Sequence, residues 1–368
     1  MDAFSKDQYK IWIDASGEVW IEDPDRGAIP MAQALDPTFH FAPPRLELPA
    51  PNLRRTRMVP APGPWPYDLA VLWAIHDRLM ESGEPSETAP ETSLLDLKRA
   101  IARRLFEACV LCEHRCEVNR AAGERGWCKV GAEARFAEAY VHEAEEREIA
   151  PSLCLAMTGC TWHCVYCHTH DIINRVEAGT RLEPGTHAAL FERAMAPEVR
   201  TLSFVGGNPD QHLPAILDLL ADAPASFDRP VVWNSNMYGS PELYRLLDGV
   251  VDVYLGDLRY GNDECARRLS GLERCWEPVA RNWLQAAEQA ALPIVRLLVL
   301  PGHLGCCLTP MIDWVATALP HARVNLLEQY HPAYMAAQRA PELSGTPDEA
   351  TLAAARSLVE RAGLNVVE

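Results

Sequence analysis

The chain has 368 residues, 48% of them apolar, which is enough for one large core with an extension or for two domains. With 34 basic against 51 acidic residues its formal charge is -17, which argues against a nucleic-acid backbone as the main partner and fits a solvated acidic surface. It has neither a basic start leading into an apolar signal core nor a run of about 18 apolar residues to span a membrane. The twelve cysteines are therefore expected to be reduced and metal-ligating in a cytoplasm, not paired in a secreted framework.

Residues 1 to about 64 are rich in Pro and scattered aromatics and read as an irregular arm lying across another domain. Residues 65–82 read as a helix, 83–91 as a Pro/Ser/Glu linker and 93–108 as a helix with Ser93 as its N-cap. The expected layout is an irregular and helical extension over 1–92, then a helix and cysteine segment over 93–150. Within that segment Cys109, Cys112, Cys116 and Cys128 form C-x2-C-x3-C-x11-C, and Gly123 and Gly126 bend the chain back before the fourth. Four thiolates close a tetrahedral shell that zinc accepts as a structural staple; an iron site or an auxiliary Fe–S cluster suits the same set. His114 lies inside it and is a ligand only if one cysteine is not.

Residues 152–158 read as a buried strand that hands over to the loop Gly159-Cys-Thr-Trp-His-Cys-Val-Tyr-Cys167. Its C-x3-C-x2-C spacing supplies three thiolates, Cys160, Cys164 and Cys167, and no fourth. A structural zinc would want four protein ligands. A [4Fe–4S] cubane held by three cysteines keeps one iron open to a small molecule, which points to chemistry.

From there apolar runs of strand length, at 153–158, 201–205, 230–234, 251–256, 294–300 and 323–329, alternate with helical patterns such as 212–221, 241–248 and 280–291. Alternating units with right-handed crossovers make a parallel sheet. Six of them predict an α/β fold, a partial (β/α)6 TIM-like barrel over 151–335, followed by a C-terminal helix and a possible edge strand over 336–368. Polar residues gather just after each strand, where such folds build their sites: Gly206-Gly207-Asn208, Asn234-Ser235-Asn236, Asp257 with Arg259, Arg296, and Gln329-Tyr330-His331. Cys154 reads as core. Cys265, Cys275, Cys306 and Cys307 are scattered near the open end, and one of them is a candidate hydrogen-atom relay or ligand of a further cluster.

The cysteine triplet closely resembles the cluster loop of the radical S-adenosylmethionine (SAM) enzymes. The wider pattern resembles the PflX-like proteins, relatives of pyruvate formate-lyase activating enzyme. It is carried by residues 109–120, 123–129, 159–167, 204–207, 236–238, 246–252 and 260–265. The resemblance implies a [4Fe–4S] cluster on Cys160, Cys164 and Cys167 whose open iron takes the amino and carboxylate groups of SAM, with Tyr166 against the adenine. It implies SAM contacts from Gly206, Gly207, Asn208, Asn234, Ser235, Asn236, Asp257, Arg259, Arg296 and His331. Asn208 stands where the family usually has Glu, and Arg259 where the activating enzymes have Lys. An external electron donor, flavodoxin- or ferredoxin-like, and reductive cleavage of SAM to a 5′-deoxyadenosyl radical are implied as well. By analogy the hydrogen is taken from a protein or peptide of the glycyl-radical kind. Radical modification of a small metabolite or natural-product precursor stays open, as does a catalytically silent Fe–S- or zinc-binding interaction protein.

Overall fold

The computed structural model describes residues 11–13, 19–23, 27–30, 51–143 and 146–367. The chain divides into a small unit, residues 1–47, and a large one, residues 48–367. The small unit contains a three-stranded antiparallel sheet, β1 (Ile11–Ile13), β2 (Val19–Asp23) and β3 (Gly27–Pro30), in that order. The Pro-rich opening is therefore not wholly irregular: its strands pair in register, Ile11 opposite Ile21 and Ile21 opposite Ile29.

The large unit is built on a nine-stranded sheet. Six strands run parallel: β5 (Ser152–Met157), β7 (Thr201–Gly206), β8 (Val231–Ser235), β9 (Val253–Leu258), β10 (Leu292–Leu298) and β11 (Arg323–Leu327). These match the six predicted strands to within a few residues, and together with their helices form the partial (β/α)6 barrel. Their near-continuous apolar composition follows from burial on both faces; every residue of β5 is buried. The two-residue β12 (Asn365–Val366) extends the parallel run beyond β11, after the Glu349–Arg361 helix.

At the other edge β4 (Arg135–His142) pairs antiparallel with β5 and carries the short β6 (Thr180–Arg181) on its outer side. This strand departs from the expectation of only helix and metal-binding segment over 93–150. Its Ala- and Glu-containing, half-exposed run has weak strand propensity, so pairing with β5 decides its state.

The helix Leu94–Glu107 begins where expected. The Ser93 hydroxyl accepts from Asp96 N, and the Asp96 carboxylate accepts from Ser93 N at 2.9 Å, a reciprocal cap. It buries Leu94, Leu97, Ile101 and Leu105 and is tied by Arg99 to Asp218 of the Leu213–Ala221 helix at 2.8 Å. The Leu69–Ser82 helix also lies close to its prediction. Residues 52–58, expected in the irregular arm, are a helix whose first residue bonds through its backbone to Asp252 at 2.6 Å. Among the described residues no helix is long and apolar enough to cross a membrane.

Candidate functional site

Beyond the carboxyl ends of β5 and β7–β11 lies a cavity of about 530 Å³. Cys160, Cys164 and Cys167 line it together with Tyr166, Gly206, Gly207, Asn234, Ser235, Asn236, Asp257, Arg259 and Arg296. The sequence placed these residues at five separate points of the chain, and parallel register brings them to one wall. Strand β4 closes a side with Ala137, Glu138 and Tyr140.

The cysteine loop is held from several directions. Cys160 is held between Trp162 N, which donates to its sulfur at 3.4 Å, and the Gly207 carbonyl, 3.2 Å from the thiol. Cys164 accepts from the Ser270 hydroxyl at 3.0 Å, and the Ser270 carbonyl and that of Leu269 receive His163 N and Val165 N. Burial pushes the Cys164 thiol up to about 11, partly offset by the nearby Arg259 charge. Burial raises Cys160 too, so neither thiol ionises readily without a cation beside it.

The two glycines act first on the protein itself. A methyl group on Gly207 would stand 2.0 Å from the Gly159 carbonyl oxygen, and Gly206 has φ +104° with Met157 N 2.4 Å from the same construction. The absence of side chains lets the loop after β7 lie directly on the cysteine loop. Gln211 locks this contact, donating to the carbonyls of Thr158, Gly159 and Asn208 at 3.1, 3.0 and 2.6 Å.

Two expected contacts fall elsewhere. Asn208 is 1% exposed and does not line the cavity; its side-chain Oδ1 accepts from Asn236 N at 3.1 Å, so the side-chain amide serves the loop scaffold. A short polar side chain after two glycines turns inward because the buried backbone there needs a partner. His331 is exposed on the rim, its ring 3.9 Å from that of His168, while its neighbours Gln329 and Tyr330 line the cavity. Strand β11 ends at Leu327, two residues before the predicted 329, which shifts the inward-facing positions.

Arg296 reaches the cavity but is committed: Nε and Nη2 donate to both oxygens of buried Glu146 at 2.6 and 2.5 Å, and Asn325 donates to the same carboxylate at 2.6 Å. Asp257 and Arg259 pair at 2.8 Å. Asn236 bonds Thr161 Oγ1 at 2.8 Å and approaches Cys160 Sγ at 3.7 Å. The Tyr166 hydroxyl lies 2.7 Å from that of Tyr260, which in turn is 2.6 Å from Ser270 Oγ. Sequence reasoning missed Ser270, Glu146 and His168; none sits at a strand end in a motif, so only the folded packing brings them in.

The second cysteine set lies against the first. His114 Nε2 donates to the Thr161 carbonyl at 2.8 Å, which ties this segment to the cysteine loop. Trp127 lies between two imidazoles, with ring centroids 4.6 Å from His114 and 4.9 Å from His163. Burial raises the Cys112 thiol, and the neighbouring Cys128, Cys109 and Cys116 add to the effect.

A family model described as the Radical SAM superfamily matches residues 155–315, from within β5 through the cysteine loop and on past β10. An uncharacterized protein of Methanocaldococcus jannaschii is 34% identical over 313 residues, 82% of this chain and 90% of its own length. The chain belongs to the radical SAM superfamily. Among solved structures, a domain of a pyruvate-formate lyase-activating enzyme from Bacteroides vulgatus covers 45% of this chain and 97% of its own, at 16% identity and TM-score 0.37. Streptococcus suis SuiB bound to its precursor peptide SuiA covers 80% of this chain, which spans 59% of SuiB, at 12% identity and TM-score 0.43. As a radical SAM enzyme the protein uses a [4Fe–4S] cluster and SAM. The residues fit both groups: three thiols on one wall, donors and acceptors from five strand ends, and a cavity within the range that one cofactor-sized ligand fills.

Proposed function

We propose that this radical SAM enzyme takes a hydrogen atom from a polypeptide, with Cys160, Cys164 and Cys167 holding the cluster and the remaining cavity wall holding SAM. When bound, the two groups supply a 5′-deoxyadenosyl radical from an electron delivered by an external flavodoxin- or ferredoxin-like donor. The protein's own part is to orient and to exclude water. Tyr166 and Tyr330 offer ring faces, Asn234 and Ser235 offer short polar side chains, and the Asp257–Arg259 pair offers charge of both signs.

The observation that carries the substrate class is the size of the cavity. About 530 Å³ is within the range of a cavity that takes one small ligand, so with SAM in it we read the substrate as presenting only a small part of itself at the mouth. A loop or end of a larger chain meets that requirement. The rim supports it with exposed Tyr334, stacked on His170 at 4.8 Å, beside His168 and His331.

The same reading assigns a metal to Cys109, Cys112, Cys116 and Cys128. Arg120 is fully buried beside them, bonded to the carbonyls of Val130 and Gly131 and 3.8 Å from Cys109 Sγ. A buried guanidinium there balances thiolates carrying a net negative charge around an ion.

The anaerobically reconstituted protein, given SAM and dithionite, is expected to release 5′-deoxyadenosine. No product from a chain with an intact brown cluster would sink the enzyme reading. A synthetic peptide containing Cα-dideuterated glycine is expected to pass deuterium into that product. Transfer from free dideuterated glycine but not from the peptide would favour a small-molecule substrate.

A further inference from the structure

Outside the cavity wall, four side chains that the sequence leaves scattered converge on one point. Cys265 comes from the Asp263–Ser270 helix, and His303, Cys306 and Cys307 from the loop after β10. Among the described residues they are the only group of three or more His, Cys, Asp or Glu whose ligand atoms all lie within 4.8 Å of one another. We propose that they form a third metal site, holding a single tetrahedral zinc ion through three thiolates and His303 Nδ1.

The distances decide for one ion. Cys306 Sγ lies 3.8 Å from Cys265 Sγ and 3.9 Å from Cys307 Sγ. His303 Nδ1 lies 3.7, 3.3 and 3.8 Å from the sulfurs of Cys265, Cys306 and Cys307. A tetrahedral ion with bonds of about 2.3 Å to sulfur and about 2.0 Å to nitrogen sets its sulfurs about 3.8 Å apart, and sulfur and nitrogen about 3.5 Å apart. A cubane distributes its cysteine sulfurs over separate irons and needs them farther apart. A disulfide needs about 2.05 Å, well inside any of these separations. Three thiolates with one imidazole is a zinc donor set, and it leaves no open position, so the ion is structural.

The surroundings support the same assignment. The other ring nitrogen of His303, Nε2, faces the Arg268–Glu342 ion pair, 3.5 Å from Glu342 Oε1 and 3.3 Å from Arg268 Nη2. With Nε2–H turned to the Glu342 carboxylate, Nδ1 is left as the donor to the ion, the usual outer contact of a ligating histidine. Asn262 ties the two ligand-bearing segments: its Oδ1 accepts Cys265 N at 2.8 Å and its Nδ2 donates to the Cys306 carbonyl at 2.7 Å. The ligands after His303 sit on a single π-helical turn, Leu304–Leu308, which turns adjacent Cys306 and Cys307 toward the same point. Cys265 and Cys307 are buried, and Cys306 is at the surface, which gives the ion a way in.

The clip joins two crossovers of the barrel, and the helix it fixes ends at Ser270, on the sulfur of Cys164. The test is metal counting on the full-length protein purified without oxygen. The double variant Cys265→Ser/Cys306→Ser is expected to carry one zinc fewer per chain than the parent, with cluster iron unchanged. Should that variant not fold, His303→Cys keeps four ligands and is expected to retain the ion. Its cobalt-loaded form is expected to show tetrahedral thiolate bands shifted from those of the parent. Equal zinc in parent and folded double variant, loss of several irons in place of one zinc, cobalt bands unmoved by His303→Cys, or a mass deficit of two hydrogens from a disulfide would each overturn the proposal.

Discussion

The hydroxyl of Ser270 donates to the sulfur of Cys164 at 3.0 Å, across 106 residues of sequence. A hydrogen bond to a cluster-ligating sulfur withdraws charge and raises the reduction potential. Ser270→Ala is expected to load iron normally but to shift the cluster midpoint negative, on the order of tens of millivolts. Spectroelectrochemical titration reads this, and an unmoved midpoint would show that the bond serves only packing.

Gly207→Ala must displace backbone, since the nearest atom to the new methyl is the Gly159 carbonyl oxygen at 2.0 Å. The expected outcome is a chain that retains little iron and melts several degrees lower. Gly185, with nothing within 4 Å of a methyl at the same position, is the control, and Gly185→Ala is expected to leave both readings unchanged.

Arg296 and Glu146 are a buried pair with Glu146 1% exposed at its side chain. Removing one partner strands the other, at a cost of about 3 kcal/mol or more. Urea unfolding of Arg296→Met is expected to show this loss, and Arg296→Met with Glu146→Met is expected to recover part of it. A double variant no more stable than the single one would refute the pairing energy.

Lys98 is wholly buried, its Nζ 2.9 Å from His76 Nε2. Burial pulls the ammonium down to about 7, against the attraction of Asp248, and pulls His76 to about 3, with Lys98 adding to that shift. The unfolded lysine holds its proton to a higher pH than the folded one. Lys98 therefore adds stability that is fully present above its unfolded value near 10.5 and is lost as pH falls toward 7, at a slope of at most about 1.4 kcal/mol per pH unit. Subtracting the pH–stability curve of Lys98→Met from that of the parent isolates this slope. A flat difference between pH 7 and 10 would count against it.

Much of the barrel was legible because buried parallel strands carry unbroken apolar runs, and their ends announce themselves by a change to Gly, Asn, Asp and Arg. The cysteine loop was legible because spacing alone defines it. Side-chain commitment was not. Nothing in the sequence says that Arg296 is spent on Glu146 or that Asn208 turns inward, since both depend on partners remote in the chain. Strand β4 was missed because its pairing partner, not its composition, makes it a strand. His303 and Cys265 lie on different crossovers, and only the parallel pairing of β9 with β10 brings those crossovers side by side.

Trp127 sits between an imidazole from each of two cysteine loops, and this couples the two loops physically. Substitutions at His114 and His163 would not combine additively, because both are read through one indole. A chimera that took 109–128 alone from a relative would inherit two rings of the three-ring stack, and one that took 159–167 alone a single ring. Exchange of residues 109–128 or 159–167 is therefore expected to be tolerated only when the two segments move together.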